Sequence, residues 1–202
     1  MIKYILLSLF LGGIAGYLNN MWGAQAVNTF ISDYLFNFSL IALLFVMGLN
    51  FGLDKESTEK LKKAGFRILV VPFAVASGSV IGGLISALIL GINPVASMAV
   101  CAGYGWYTLA GPLNGQLFGV EWGALGFTVN FLRELLTIAT VSLSVKIDKY
   151  APIAMGGATA MDTTLPVIVR YSGSDTIITA FLSGFILSLI APFTITLIAT
   201  LA

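Results

Sequence analysis

One short stretch, residues 156–167 (GGATAMDTTLPV), places a carboxylate and several hydroxyls between two apolar runs. An ionised Asp162 in hydrocarbon would cost several kcal/mol, so the group must be paired, hydrated or protonated. The two glycines let the backbone leave helical geometry, and Pro166 leaves one carbonyl without its amide partner. We therefore expect a polar site that includes Asp162 and Thr163. A second interpretation is that Asp162 caps a half-helix beginning at Thr163.

A polar stripe interrupts the apolar run of residues 123–145, which contains Asn130, Arg133 and Glu134. In a helix Asn130 shares a face with both Arg133 and Glu134, which themselves point about 100° apart. Such a stripe faces protein or water rather than lipid, and we expect all three side chains to contribute to the site. The alternative is structural: an ion pair, for instance Arg133 with Asp162, that fixes the register between helices.

Aromatic side chains cluster in the sequence YGWYT, which contains Trp106, Tyr107 and Thr108. Their functional interpretation is a cavity wall whose rings stack on a cation, with the Thr108 hydroxyl as a further ligand. The alternative is a belt of aromatic residues at the membrane interface.

Composition identifies the environment of these groups. The chain has 202 residues, of which 58% are hydrophobic and 9% charged, whereas a soluble domain carries about 25% charged residues. We therefore expect an integral membrane protein, with the lipid bilayer as its main partner. The net charge of +1 gives no basic field that would indicate nucleic acid.

Several kinds of catalytic and metal-binding site are excluded or disfavoured, because the residues that they need are absent from this sequence. There is no histidine, a single cysteine and no P-loop, so Ser-His hydrolysis is excluded and a zinc site is disfavoured. We expect no metal, no cofactor and no enzymatic activity. A secondary transporter driven by an ion gradient fits the residues that remain.

The elements that position these residues follow from the length of the apolar runs, since a spanning helix needs about 20 residues. Five segments meet or nearly meet this length: residues 3–18, 30–53, 66–90, 123–145 and 176–202. Two further segments, 94–111 and 151–169, break at glycines. The predicted fold is an all-α integral membrane protein of about five transmembrane helices plus two re-entrant or broken segments.

Residues 1–202 are expected to form a single transmembrane transporter domain. Residues 1–65 would supply two N-terminal helices and a cytoplasmic loop, and residues 66–202 a core that contains both broken segments.

The distribution of basic residues predicts the orientation. The loop of residues 54–67 holds five basic residues, and the positive-inside rule places it, Lys3 and residues 146–149 in the cytoplasm. If every segment crossed, residues 146–149 would face outside. Two re-entrant segments, one from each side, remove the conflict and leave the N-terminus in the cytoplasm and the C-terminus outside. The alternative is two complete but unwound helices.

A weak internal repeat connects the two broken segments. A shift of 54 residues aligns identical residues in four places and sets Thr108 opposite Asp162: Gly103 with Gly157, Pro112 with Pro166, Gly119 with Gly173 and Phe127 with Phe181. The predicted topology gives the two copies opposite orientations. Inverted repeats with paired interrupted helices are typical of transporters whose binding site lies near the bilayer midplane.

Several runs resemble the bacterial lysine exporter family, the LysO-like proteins. They are FVMGLNFGL, GSVIGGLISALIL, AGYGWYTLAGPL, LRELLTI, GGATAMDTTLPVIVRYSG and SGFILSLIAP. The resemblance covers nearly the whole chain but only the later part of the longer members. It implies a bacterial inner-membrane protein that exports L-lysine and lysine analogues. It also implies that Glu134 and Asp162, which match intramembrane acidic positions of the family, are needed for transport.

The mechanism we expect is exchange of lysine outward for protons inward, in which Glu134 and Asp162 each hold either a proton or an ammonium group. Arg133 and the half-helix ends would bind the substrate carboxylate. Sodium stays open as the coupling ion. Because the longer members carry additional segments, we expect a homodimer or a small separate membrane subunit.

Two rival functions stay open at this point. The chain fits a carrier of another amino acid or of an organic anion, for which Arg133 would dominate. It also fits a non-transporting subunit that completes a membrane complex.

Overall fold

The structure is a computed structural model. It describes residues 2–22, 27, 29–35, 38–39, 41–42, 45–46, 49, 53 and 69–202. The chain divides into two compact units, Met1–Asp54 and Lys55–Ala202. The basic loop of residues 54–67, which sets the predicted orientation, lies outside the described residues.

The first unit contains helix α1 (Ile2–Trp22), which covers the predicted span 3–18. A π-helical segment, Phe30–Leu35, opens the predicted second span. Beyond it, only parts of residues 36–53 are described, and those parts are helical.

The second unit is built from seven α-helices within the described range 69–202. They are α2 (Val70–Leu90), α3 (Pro94–Cys101), α4 (Tyr107–Phe118), α5 (Val120–Ser144), α6 (Ala151–Gly156), α7 (Leu165–Ser172) and α8 (Ile177–Ala199). Among the described residues all regular structure is helical. Three stretches are long and apolar enough to cross a membrane: α2, α5 and Ser174–Ala199. The predicted all-α membrane protein is thus confirmed, with three of its expected spans.

Helices α3 and α4 form hairpin 1, residues 94–118, whose tip is the turn at residues 102–106. Asn93 starts α3, because its Oδ1 accepts hydrogen bonds from the amides of Val95 and Ala96 at 2.9 and 3.1 Å. The returning arm α4 runs beside α5, where Gly111 and Gly123 bring the two backbones together.

Hairpin 1 begins and ends at one end of the unit, because α2 and α5 run antiparallel. Ser79 in α2 contacts Arg133 in α5 near the middle of both helices. Val70, at the start of α2, lines the same cavity as Asp148 and Tyr150, which follow α5. The other ends of α2 and α5, which hairpin 1 joins, therefore lie together.

Hairpin 2, residues 151–172, starts from the opposite end of the unit. It consists of α6, a 3-10 turn (Gly157–Met161) and α7. Its two flanks are held together by an ion pair between Lys149 Nζ and Asp175 Oδ2 at 2.8 Å. Inside the hairpin, Ile153 of α6 and Ile168 of α7 belong to one buried apolar cluster.

The tips of the two hairpins meet in the interior. The amide of Ala158 donates a hydrogen bond to the carbonyl of Tyr104 at 2.8 Å. The approach depends on Gly157, whose φ of +62° suits glycine and where a Cβ atom would clash with the Tyr104 carbonyl oxygen. Helix α8 supports this junction, since Gly184 faces the backbone of Ala158 and Met161.

Candidate functional site

Glu134 lies on the buried face of α5 and is 9% exposed. Its Oε2 atom has no hydrogen-bond partner among the described residues. A buried polar atom of this kind is costly unless a ligand, a proton or water completes it. Three other buried atoms also lack a partner among the described residues, Asn114 Oδ1, Ser172 Oγ and Ser183 Oγ, but Glu134 is the one of the four side chains that can carry a charge.

Tyr107 lies beside one of the two predicted acids. Its hydroxyl is close to the side chain of Glu134, and the charges of both Glu134 and Asp162 act on it. The ring is held edge-on by Phe127 and Phe131, with centroids 5.4 and 5.5 Å away. Side chains from hairpin 1, α5 and hairpin 2 are thus close enough to interact electrostatically.

Asp162 ends the 3-10 turn of hairpin 2 and is exposed. Its Oδ1 accepts a hydrogen bond from the amide of Thr163 at 2.6 Å, and the Thr163 side chain is exposed as well. The following helix begins at Leu165, so Asp162 does not cap a helix that starts at Thr163. The reason is Pro166, which is favoured in the first turn of a helix and sets the start near itself.

Asn130 is 2% exposed and directs its whole amide group at the backbone. Its Oδ1 accepts from the Gly105 amide at 2.7 Å. Its Nδ2 donates to the carbonyls of Val100 at 2.9 Å and Gly126 at 2.8 Å. In this structure Asn130 holds the tip of hairpin 1.

Arg133 also binds backbone. Its Nε donates to Met155 O at 2.8 Å and its Nη2 to Ala154 O at 2.9 Å. Its Nη1 donates to Ser79 Oγ at 2.9 Å. Three of the five N–H donors of the guanidinium are therefore in use. Within the described part of the chain no ion pair joins Arg133 to Asp162.

The remaining predicted residues lie at the start of α4. Trp106 precedes the helix and is half-buried, and Thr108 is exposed one residue beyond Tyr107. Neither brings a described hydrogen bond to the acidic pair. Among the described residues no group of three or more His, Cys, Asp and Glu side chains is arranged to hold a metal ion.

A cavity of about 930 Å³ lies beside this junction, between α2, α5 and α6. Its wall is mostly apolar, with Ser79 and Arg133 among its polar residues. Glu134, Asp162 and Tyr107 are not part of the described lining. The cavity and the two acids, Glu134 and Asp162, are therefore separate places, with Arg133 between them.

Sequence reasoning missed Ser79 and the hydroxyl of Tyr107. Tyr107 was expected to act through its ring, whereas it is the hydroxyl that lies near Glu134. The sequence does contain a signal for Ser79. It lies 54 residues before Arg133, which is the offset of the internal repeat, so the two residues occupy equivalent positions.

Comparison with known proteins decides the family. A family model described as "Lysine exporter LysO" matches residues 6–199. The chain belongs to the LysO lysine exporter family. This confirms the resemblance found in the sequence, and membership agrees with the multi-pass helical architecture.

Two curated members of the LysO family are similar over most of the chain. "Lysine exporter LysO" of Escherichia coli (strain K12) is 36% identical over 155 residues, which are 77% of this chain and 52% of that protein. A Haemophilus influenzae protein (strain ATCC 51907 / DSM 11121 / KW20 / Rd), named "Putative lysine exporter", is 30% identical over 155 residues, 76% of this chain and 78% of the relative. The match thus spans about half the length of the Escherichia coli relative. No solved structure matches the chain.

Proposed function

We propose that this chain forms the binding core of a secondary transporter that exports L-lysine from the bacterial cytoplasm in exchange for protons. The observation that carries the proposal is the unpartnered Oε2 of the buried Glu134. It lies near the junction of two interrupted hairpins, where Glu134 and Asp162 both act electrostatically on the Tyr107 hydroxyl. Lysine as the substrate is supported by the names of the two relatives.

The chemistry of lysine suits an acidic pair. Lysine carries two ammonium groups and one carboxylate. A carboxylate inside a membrane protein needs a proton or a cation beside it. Glu134 and Asp162 would hold protons in one step and substrate ammonium groups in the next, so that lysine and protons compete for the same oxygens. Competition of this kind couples the two fluxes in opposite directions.

An inverted repeat is supported by the boundaries of the helices. Adding 54 to Val70–Leu90 gives residues 124–144, and α5 ends at Ser144. The glycines that follow α4 and α7 have nearly the same backbone angles, φ 102° and ψ 166° for Gly119 and φ 98° and ψ 156° for Gly173. We propose that hairpin 1 enters the membrane from the outside and hairpin 2 from the cytoplasm, with the C-terminus outside.

Two contacts between equivalent residues also favour this symmetry. A two-fold axis exchanges equivalent positions, so any contact between such positions must lie on the axis. Ser79 and Arg133 are 54 residues apart and share a hydrogen bond. Tyr104 and Ala158 are also 54 residues apart and share another. An axis through both contacts would pass Arg133, the neighbour of Glu134 in α5, as expected for a transporter site between inverted repeats.

The substrate carboxylate is proposed to face the starts of α4 and α7. Both helices begin without a side-chain cap, at Trp106 and Thr164, and the N-terminal end of a helix favours negative charge. Thr108 and Thr163 stand beside these starts and could add hydroxyl donors. The sequence-based prediction that Arg133 binds the carboxylate is untested. Because three of its donors already bind protein, we assign the carboxylate to the helix starts instead.

Reconstitution tests the proposal. The purified chain is placed in liposomes with an acidic interior, and uptake of radiolabelled lysine is followed. We expect accumulation that a protonophore abolishes. Flux by this chain alone, by a pair of copies or only with a separate membrane subunit are outcomes that the assay distinguishes. No lysine flux in any of these arrangements, or flux of organic anions instead, would contradict the proposal.

A further inference from the structure

The first half-helix of each hairpin ends with carbonyl groups that its own helix cannot satisfy. In hairpin 1 the carbonyl of Val100 accepts a hydrogen bond from Asn130. In hairpin 2 the carbonyls of Ala154 and Met155 accept hydrogen bonds from Arg133. Val100 and Ala154 are 54 residues apart, so they are equivalent positions of the two hairpins. One helix, α5, therefore holds both half-helices by the same kind of contact.

The two contacts differ in charge. The C-terminal end of a helix carries partial negative charge, which a cation stabilises. The donor to hairpin 1 is the neutral side-chain amide of Asn130. The donor to hairpin 2 is the guanidinium of Arg133, which binds two successive carbonyls. Hydrogen bonds from a charged donor are roughly twice as strong as neutral ones. The third donor reaches Ser79 in α2, so Arg133 links α2, α5 and hairpin 2.

Arg133 also lies next to the backbone segments that carry the two acids. Glu134 is its neighbour in α5. A Cβ atom on Gly157 would lie 3.1 Å from the Arg133 guanidinium carbon, so the chain that leads from α6 to Asp162 passes directly over this group. A shift of the guanidinium would move the Asp162 segment relative to Glu134.

From these contacts we infer that Arg133 is a positioning residue: its guanidinium fixes the end of α6 to α5 and α2 and thereby sets the separation of Glu134 and Asp162, without touching the substrate. The consequence for transport rests on the proposed function, whereas the anchoring of hairpin 2 does not. Lysine at position 133 would keep the charge but lacks the planar fork that binds two carbonyls at once. Arg133→Lys is therefore expected to restore function only in part.

Hydrogen exchange of the purified protein tests the anchor independently of transport. In Arg133→Gln we expect the amides of residues 156–164 to exchange at least about tenfold faster, as follows from loss of charge-assisted hydrogen bonds. Arg170→Gln is the matched control, because Arg170 is exposed on α7 of the same hairpin. Ser79→Ala removes only the hydrogen bond to Arg133 Nη1 and should show a smaller acceleration of exchange. It is the variant to be measured if Arg133→Gln does not fold. Unchanged exchange in both variants overturns the inference.

Binding of two ligands separates positioning from direct contact. The probes are lysine and 1,5-diaminopentane, which is lysine without its carboxylate. A positioning residue predicts that Arg133→Gln weakens binding of both probes by the same factor, with Arg133→Lys in between. If lysine binding weakens while diaminopentane binding does not change, Arg133 is a carboxylate ligand and the inference is wrong. Failure of the unsubstituted chain to bind either probe would instead contradict the proposed function.

Discussion

At the scale of single residues, the chain contains carboxylates in very different surroundings. Glu121 is exposed in the first turn of α5, whereas Glu134 lies nearly four turns further on, buried and with one oxygen unpartnered. Only the second arrangement leaves a buried carboxylate oxygen without a partner, as the proposed exchange of lysine and protons requires. The difference between these two glutamates, on one helix, makes Glu121 a suitable internal control for experiments on Glu134.

Tyr107 gives a second test at this scale. Tyr107→Phe removes the hydroxyl that lies near Glu134 but keeps the ring against Phe127 and Phe131. We expect weaker lysine binding, by about three- to tenfold for one lost hydrogen bond, and no large change in thermal stability. Equilibrium binding to the purified protein measures this. Tyr171→Phe, at an exposed position of α7, should bind as the unsubstituted protein does; equal affinities for both variants would remove Tyr107 from the site.

At the scale of elements, the junction of hairpin 2 with α8 depends on Gly184. A Cβ atom there would lie 2.6 Å from Met161 N and 2.7 Å from Ala158 O, both of which are backbone atoms that cannot rotate away. Gly184→Ala should therefore destabilise the fold by about 1–3 kcal/mol, the usual cost of overpacking. Thermal unfolding in detergent measures the loss. Gly82→Ala, where a Cβ meets no described atom within 4 Å, should unfold no earlier than the parent.

The ion pair at the open end of hairpin 2 predicts a pH and salt dependence. The hydrogen bond from Lys149 to Asp175, with help from Tyr150, raises the pKa of Lys149 above its ordinary 10.5. Because the folded-state pKa is raised, the pair stabilises the fold below pH 10.5 and the contribution is lost as the pH rises through the higher value. Since both side chains are exposed, salt should weaken the pair.

Lys149→Met isolates this contribution. Its unfolding temperature should lie slightly below that of the parent at neutral pH and low salt, and the two should converge at high salt and in strong alkali. Lys146→Met, a change of the same kind in the same loop, should behave as the parent throughout. A gap between Lys149→Met and the parent that persists in alkali would show that the pair does not act as described.

Many of the helix boundaries could be predicted from the sequence, because the length of an apolar span and a break at glycine are local properties. The span predicted at 123–145 is observed at Val120–Ser144, and that at 66–90 as Val70–Leu90. The partners of Arg133 could not be predicted, since Ala154 and Ser79 are distant in sequence and meet it only after folding. Helix α7 begins at Leu165 rather than at Thr163, as one interpretation of the sequence predicts, because Pro166 favours the first turn of a helix.

At the scale of the whole molecule, the proposed topology predicts which loops share a side of the membrane. Single cysteines can be introduced after replacement of Cys101, the sole native cysteine. A membrane-impermeant maleimide should label Ile92→Cys and Val120→Cys from outside, because hairpin 1 begins and ends there. Lys146→Cys and Ser174→Cys should react only from the cytoplasmic side. Labelling of Ile92→Cys and Val120→Cys from opposite sides would mean that the first broken segment crosses.

The central claim for the molecule is that lysine and protons compete for Glu134 and Asp162. The most direct measurement is proton release when lysine is added to the purified protein in weakly buffered solution. We predict release by the parent and by Glu121→Gln, and none by the double variant Glu134→Gln with Asp162→Asn. Lysine binding by the parent without proton release, or undiminished release by the double variant, would contradict the account.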